Sequence, residues 1–268
     1  MSVRRITRFV AKHQRLCRIL VSLPWIVWMG LMIEIGLHYV VVGILGFVGL
    51  FFCFLRIATS ANRLLKEPME RLNQQCDPYP LLQETTEQLR YRCSPADRQI
   101  RQINYAVALR QIGDYAQAEM VLRSINIDKY VMAPILKVLY YNNLMDICVL
   151  VGKHQEARVW YEKLMQVFAD VKEGKQKAIF ADAIAVNRAW YCYAGGNYAE
   201  ALQILETVPP KKPVEQIDTA MMCARIYIAQ NQRQLAVQAL QFVQQHGNKL
   251  YVVQQARQML AEMKAQEQ

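Results

Sequence analysis

A long stretch almost free of charge near the N-terminus constrains this chain more than any other feature. Residues 19–55 contain no Lys, Arg or Asp, and the polar positions nearest the middle of the run are Glu34 and His38. A helix needs roughly 20 residues to span a hydrocarbon core of about 30 Å, and this run is nearly twice that long. We therefore predict two membrane-spanning helices, about 17–35 and 38–55, that turn near its middle.

Basic residues flank this stretch on both sides and predict its orientation. Residues 1–66 carry nine Lys or Arg against one acid, whereas residues 67–268 carry 23 against 21. Short cytoplasmic segments of membrane proteins are enriched in Lys and Arg, so both termini and the region after the hairpin are predicted to be cytoplasmic. We expect a two-span protein of the cell membrane, in a bacterial inner membrane. A cleaved signal peptide is the alternative, but its apolar region is normally only about 7–15 residues long.

Composition disfavours several other classes of protein. The formal net charge of +10 at first suggests nucleic-acid binding, yet the excess lies beside the apolar stretch and the rest of the chain is close to neutral. We therefore expect no nucleic acid partner. The four His and seven Cys are scattered and never form a short pair, so we predict no metal site, no cofactor and no disulfide. No small-molecule substrate is evident, and enzyme activity is not expected.

Two features of the predicted hairpin leave alternatives open. Glu34 and His38 are either polar residues of the turn or an ionisable pair with a function inside the bilayer. The second interpretation would make the protein an accessory subunit of a membrane transporter or envelope-assembly machine. Gly43, Gly46 and Gly49 form a stripe that would let a neighbouring helix approach closely, although Gly is also simply frequent in membrane helices.

The residues after the hairpin predict a connector and then the start of a second domain. A helix with interspersed basic residues either extends the second span or lies along anionic lipid, and Pro78 and Pro80 end it. Ser94, followed by Pro95 and Asp97, is typical of a helix start. The predicted regions are a basic N-terminus with the transmembrane hairpin (1–56), a juxtamembrane helix and linker (57–93), and a repeat domain (94–268).

Four short segments of the C-terminal region align with one another. In each, a Gly or Asn is followed five residues later by Ala, and four residues beyond that by a larger apolar or aromatic residue. Gly or Asn in the left-handed conformation ends a helix, and Ala lets two helices touch, so each segment predicts a helical hairpin. The turn residues are Gly113, Gly152, Gly196 and Asn231, followed by Ala118, Ala157, Ala201 and Ala236.

This pattern resembles the tetratricopeptide repeat family, whose units are antiparallel helix pairs. Tyr115 and Tyr198 match the aromatic residue near the turn, and Pro213 matches the late Pro. The resemblance covers residues 95–246, and its fourth unit lacks both the Gly and the aromatic residue. It implies an all-α fold, in which the transmembrane hairpin precedes an α-solenoid of antiparallel helix pairs. Apolar spacing over residues 250–266 predicts a C-terminal capping helix.

The resemblance also implies a binding groove along the first helices of successive pairs. In three units an Asn lies nine residues before the turn, where it would face the groove or bond a neighbouring helix. Trp190 and Arg225 are the expected anchors, because Trp and Arg dominate binding hot spots; a core role for Trp190 is the alternative. We predict a membrane-tethered adaptor whose groove binds a protein or peptide segment. The predicted groove residues are Asn104, Asn143, Asp146, Asn187, Trp190 and Arg225.

Overall fold

The structure is a computed structural model that describes residues 3–129 and 133–265, apart from the side chains of Gln176 and Ile179. These residues form 14 helices and no strand, which confirms the predicted all-α class. The first seven helices are α1 (Val3–Lys12), α2 (Gln14–Glu34), α3 (Tyr39–Ala58), α4 (Ser60–Gln75), α5 (Tyr79–Leu89), α6 (Pro95–Gln111) and α7 (Tyr115–Arg123). The others are α8 (Pro134–Leu150), α9 (His154–Ala169), α10 (Lys175–Ala194), α11 (Tyr198–Thr207), α12 (Pro213–Ala229), α13 (Arg233–His246) and α14 (Val252–Ala265).

Helices α2 and α3 form an antiparallel hairpin, as the apolar stretch predicts. They are 21 and 20 residues long, enough to cross a hydrocarbon core. Glu34 is the last residue of α2, and the Nδ1 atom of His38 accepts a hydrogen bond from the Val40 amide at the start of α3. Both polar residues therefore belong to the turn between the helices.

The outer surface of this hairpin is apolar and exposed. Only 6% of the most apolar stretch of α2 and 17% of that of α3 are buried. Where the two helices meet, Gly46 lies against Met29 and Gly49 against Trp25, so two glycines of the predicted stripe allow close packing. A core helix of a soluble domain would bury its apolar side chains, and this hairpin does not.

The predicted helix pairs are present in the repeat region. They are α6 with α7, α8 with α9, α10 with α11, and α12 with α13. Their turn residues Gly113, Gly152, Gly196 and Asn231 all have left-handed backbone conformations, with φ of 85°, 78°, 81° and 56°. The fourth pair therefore forms without the usual Gly, because Asn also tolerates this conformation. Helix α14 packs on α13 as the predicted terminal helix.

Helices α4 and α5, which occupy the predicted connector, pack into the repeat region. Leu65, Leu72 and Leu81 lie in one buried cluster with residues of α12, α13 and α14, including Ile217 and Leu240. Helix α4 begins after a break at Thr59 and is thus distinct from α3. Much of the connector is therefore part of the core of the helical repeats.

The N-terminal helix α1 docks on α4 and α5. Ala11 is fully buried against Ala61 and Leu64. The Arg8 guanidinium donates to the Glu84 carboxylate, with Nη2 and Oε2 2.8 Å apart, and Glu84 is only 2% exposed. Because α1 also precedes α2 directly, this contact joins the base of the hairpin to the repeat region.

The two ends of the helical stack meet, and we call their junction the closing contact. The Tyr251 amide donates to the Gln111 carbonyl at 3.1 Å, and the Tyr251 ring packs edge-on against Tyr115. The Lys249 ammonium pairs with the Asp77 carboxylate at 2.8 Å. The first and last helices of the stack are thereby in contact, and the inner face is partly enclosed instead of forming an open groove.

Candidate functional site

A cavity of about 590 Å³ lies on the inner side of the stack, between α8, α10 and α12. This volume is within the range of protein ligand sites, about 300–1,000 Å³. Its floor includes Asn187, Trp190 and Met222, which are 3%, 6% and 1% exposed. Ala183 and Lys211 also line the cavity and are exposed, so they mark its mouth. The cavity thus runs from the surface into the core.

One face of each first helix lines this cavity, as helical geometry requires. In α10 four of the lining residues, Ala183, Val186, Asn187 and Trp190, are spaced i, i+3, i+4 and i+7, which places these four on a single face. When residues are numbered backwards from the turn residue of each helix pair, the lining positions of α10 recur in the neighbouring first helices α8 and α12. They supply Asn142 and Asp146 from α8, and Asp218 and Met222 from α12.

A buried charge cluster lies at the inner end of the cavity. Arg110, at the end of α6, is 3.7 Å from Asp146 (Nη2 to Oδ2) and 3.5 Å from Asp218 (Nη1 to Oδ2). The side chains of Arg110, Asp146 and Asp218 are 12%, 13% and 31% exposed. Two carboxylates therefore share one guanidinium, and the cluster carries an excess of one negative charge when both acids are ionised.

The environment of this cluster shifts the proton equilibria of its members. Burial raises the pKa of Asp146 to about 6; Arg110 opposes this shift and Asp218 adds to it. Burial disfavours the charge on Arg110, but Asp218 and Asp146 outweigh it and raise the pKa of Arg110 above its ordinary value. Arg110 therefore stays charged, whereas Asp146 can gain a proton in mildly acidic solution.

Polar contacts fix the rest of the cavity wall. The Asn187 amide donates from Nδ2 to Asn142 Oδ1 at 2.6 Å, and Asn142 Nδ2 donates to Asp146 Oδ2 at 3.5 Å. Asn187 therefore positions the Asn142 side chain, which in turn contacts Asp146. At the mouth, Lys211 pairs with Asp182, which joins the loop before α12 to α10. The network positions the floor and restrains both sides of the mouth.

Three of the six predicted groove residues meet in this cavity. Asp146, Asn187 and Trp190 all line it, from two adjacent first helices. Trp190 also belongs to a buried cluster with Met145 and Ala189, so it is both a core residue and part of the cavity wall. The groove role predicted for these residues is not tested by their position alone.

The other three predicted residues lie outside the cavity lining. Asn143 is buried, and its Nδ2 donates to the Leu139 carbonyl one turn earlier at 2.7 Å. Arg225 reaches α14, where its Nη2 donates to Gln255 Oε1 at 3.3 Å. Asn104 is on α6, whose contribution to the described lining is Arg110, near the C-terminal end of the helix. The closing contact explains the placement of Arg225, because this contact brings α14 over the inner face of α12.

Sequence reasoning missed the two charged residues that contact Asp146 or share its partner at the inner end of the cavity, Arg110 and Asp218. Asp218 lies 13 residues before Asn231, on the same helix face as Met222, so helical periodicity was a usable signal for it. Arg110 and Asp218 are separated by 108 residues in the sequence. Their contact depends on the closing of the stack, for which no local pattern gives a signal.

One group of potential metal ligands lies elsewhere, between α7, α8 and α9. Ligand atoms of Glu119, Cys148 and Glu156 are within 4.8 Å of one another. Lys153 donates to Glu119 at 2.8 Å, and Arg123 binds both Glu119 and Glu156. Burial raises the pKa of the Cys148 thiol to about 11, and the two Glu residues add to the shift. Both carboxylates are thus paired with cations, and the group forms an ion-pair network in this structure.

Stacked antiparallel helix pairs with a cavity on their inner face define a helical-repeat protein of the kind that binds other proteins. Residues 183–207, which cover most of α10 and all of α11, match the family model of the tetratricopeptide repeat. One helix pair of the repeat region, α10 with α11, is thus similar to the tetratricopeptide repeat, in agreement with the resemblance in the sequence. Neither curated proteins nor solved structures gave a significant match to the chain. This match supports a role in protein–protein interaction.

Proposed function

We propose that this protein is a membrane-tethered adaptor. Its α2–α3 hairpin spans the cell membrane, its repeat region lies in the cytoplasm, and the cavity binds a segment of a partner protein. The observation that carries the proposal is the cavity itself, which opens on the inner face of the stack and combines apolar, amide and charged side chains. Such mixed linings are typical of sites that recognise a specific ligand.

The exposed surface of the hairpin supports the membrane tether. Its outward residues include Leu20, Ile26, Val27, Ile44 and Phe47, each more than half exposed. Soluble monomers rarely expose an apolar surface of this extent, which is normally covered by a partner protein or a bilayer. Arg and Lys residues cluster at the open end of the hairpin, and this clustering supports a cytoplasmic position for that end. The flanking basic residues are Arg15, Arg18, Arg56 and Arg63.

The size of the cavity supports a short segment as its ligand. An α-helix with side chains is at least about 10 Å wide, so a cavity of this size favours a short segment over a helix of many turns. A long helix does not fit this partly enclosed shape. We therefore propose that a few residues of an extended or terminal segment bind there, while the membrane tether raises their effective concentration.

Blocking the mouth of the cavity tests the binding site. Ala183 is exposed and lines the mouth, whereas Ala181 is exposed and lies outside the lining. We expect Ala183→Trp to abolish co-purification of the partner with the full-length protein, because the indole fills the entrance. Ala181→Trp, the matched control, should retain the partner. Equal retention by both variants would show that the partner binds elsewhere.

Reporter fusions test the proposed topology. A reporter that is active only in the cytoplasm should be active at both residue 1 and residue 268, because an even number of spans returns the chain to the same side. An extracytoplasmic location of either end would contradict the proposed topology. Extraction of the whole protein from membranes by alkaline carbonate would contradict the tether itself.

A further inference from the structure

We propose that the cavity recognises a positively charged side chain, that of Lys or Arg, in the partner segment. This inference rests on the proposed function and specifies the chemistry of its ligand. Three observations support it: the charges at the mouth of the cavity, the charges at its inner end, and the apolar wall between the two.

The charges at the mouth are already balanced. Lys211 pairs with Asp182, and Lys212 pairs with Glu215 at 2.7 Å. These two ion pairs are substantially exposed and leave no net charge at the entrance. The mouth therefore neither attracts nor repels a charged ligand strongly. The charge preference of the cavity is set by the residues at its inner end.

The charges at the inner end are not balanced. Among the described residues, Arg110 is the cation that forms ion pairs with both Asp146 and Asp218, and its two contacts of 3.7 Å and 3.5 Å are longer than good charge-assisted hydrogen bonds. Asp218 is the more exposed of the two acids, with 31% of its side chain accessible, and it lines the cavity. A second cation placed beside Asp218 would neutralise the cluster. It would also give the partly buried Asp218 carboxylate a closer partner than Arg110 provides.

The wall between the mouth and this cluster suits the aliphatic part of a long basic side chain. Val186, Trp190 and Met222 line it, and Lys and Arg commonly bury their methylene groups along such surfaces while the charged end reaches a polar site. Trp is also the aromatic residue that attracts cations most strongly. A Lys or Arg side chain entering at Ala183 would thus meet apolar contacts first and a carboxylate at its end.

Other ligand charges fit this lining less well. An acidic side chain would meet two carboxylates, while the Arg110 guanidinium is already shared between them. A purely apolar side chain would remove water from Asp218 and give it no new partner. The inner end therefore favours a cation over both a neutral and an anionic group.

A set of matched peptides tests this inference on the full-length protein in detergent micelles. The probes are acetylated and amidated pentapeptides, Ala-Ala-X-Ala-Ala, in which X is Lys, Arg, norleucine or Glu, with putrescine as a free amine. Isothermal titration calorimetry gives each Kd. We expect the Lys and Arg peptides to bind at least tenfold more tightly than the norleucine peptide, and the Glu peptide to bind most weakly.

Two variants with the same change in charge locate the effect. Asp218→Asn should remove most of the preference for Lys and Arg, a loss of about tenfold in their affinity, because it removes the accessible carboxylate. Glu162→Gln changes an exposed acid of α9 outside the cavity and should leave the preference intact. Melting curves of both variants show whether the fold is retained.

Each outcome decides the inference, and its failure can be told apart from failure of the adaptor role. Equal affinity for the Lys and norleucine peptides would overturn cation recognition. If Ala183→Trp still abolishes that binding, the cavity remains a peptide site and the adaptor role stands. Retained preference in Asp218→Asn, tighter binding of putrescine than of the Lys peptide, or no binding of any peptide would also overturn the inference. The adaptor role would then be decided by the Ala183→Trp co-purification.

Discussion

Asp146 is the residue whose local chemistry departs most from that of an ordinary surface acid. Its carboxylate is largely buried beside Arg110, and burial raises its pKa to about 6. A carboxyl group with a raised pKa in the folded state binds protons more tightly there than in the unfolded chain. The free energy of unfolding therefore falls as the pH rises through the window from about 4 to about 6.

Asp146→Asn tests this statement because it mimics the protonated form. At pH 8 the ionised carboxylate costs on the order of 3 kcal/mol relative to its protonated form, so the variant should be more stable than the wild type there. The gain should disappear as the pH falls towards 4, where Asp146 is protonated in both states. Melting temperatures measured from pH 4 to pH 8 give the comparison.

Asp170→Asn, which removes an exposed carboxylate at the end of α9, is the control for a general effect of charge. A variant Asp146→Asn that is clearly less stable than the wild type at pH 8 would show that the ion pair with Arg110 outweighs the cost of burial. The assignment of an uncompensated charge to the inner end of the cavity would then be wrong.

Among the elements, the turns between paired helices were the easiest to predict. The Gly or Asn at each turn and the Ala five residues later are local signals, and each of the four Ala residues is at most 1% exposed. The Ser94 cap of α6 was equally local, and its Oγ accepts from the Asp97 amide as predicted. Helix pairs could therefore be read from the sequence, because each depends on a few neighbouring residues.

Two turn glycines in similar conformations allow a matched test of the closing contact. Gly113 and Gly152 have φ of 85° and 78°, but a Cβ at Gly113 would lie 2.2 Å from the Tyr251 ring, whereas the space around Gly152 is open. Gly152→Ala should cost about 1–2 kcal/mol from backbone strain alone. Gly113→Ala should cost clearly more, because it also displaces Tyr251.

Unfolding of the two variants by denaturant measures this difference. Equal losses of stability would mean that Tyr251 does not pack against Gly113 in solution. The closing contact would then be weaker than its geometry indicates, and the inner face more open than described.

Docking of α1 depends on a buried acid at its interface. Glu84 is 2% exposed and accepts from Arg8, with Arg4 3.8 Å away. Arg8→Ala should weaken the docking by about 1–3 kcal/mol, because it leaves the carboxylate without its closest partner. Hydrogen exchange of the α1 amides should accelerate in Arg8→Ala and stay unchanged in Arg5→Ala, which alters an exposed Arg of the same helix. Unchanged exchange in both variants would contradict the docking.

At the scale of the whole molecule, the closing of the stack was beyond what the sequence could predict. The contacts that produce it join residues far apart, such as Asn248 with the Gln75 carbonyl, 173 positions away. The connector looked like a juxtamembrane helix because basic residues alternate with apolar ones, a pattern shared by a helix packed on a protein core. The candidate site was therefore predicted only in part: Asp146, Asn187 and Trp190 came from the repeat pattern, and Arg110 and Asp218 did not.

Truncation of one connector side chain tests whether α4 belongs to the core. Leu72 is 3% exposed within the cluster that includes α12, α13 and α14. Leu72→Ala should cost about 2–5 kcal/mol, as expected for a large-to-small change in a core. Met69→Ala, at a position 38% exposed on the same helix, should change the melting temperature little. Equal small effects would show that α4 is a free linker in solution.

Site-specific photocrosslinking in intact cells tests the central claim most directly, that the cavity of a membrane-tethered protein holds a partner segment. A photoreactive phenylalanine is placed at Ala183 in the mouth or, as control, at Val159, which is 49% exposed on α9 outside the cavity. We predict that position 183 gives one discrete crosslinked product in the membrane fraction and that position 159 does not. The same products from both positions, or a product from position 183 only in the soluble fraction, would contradict the account.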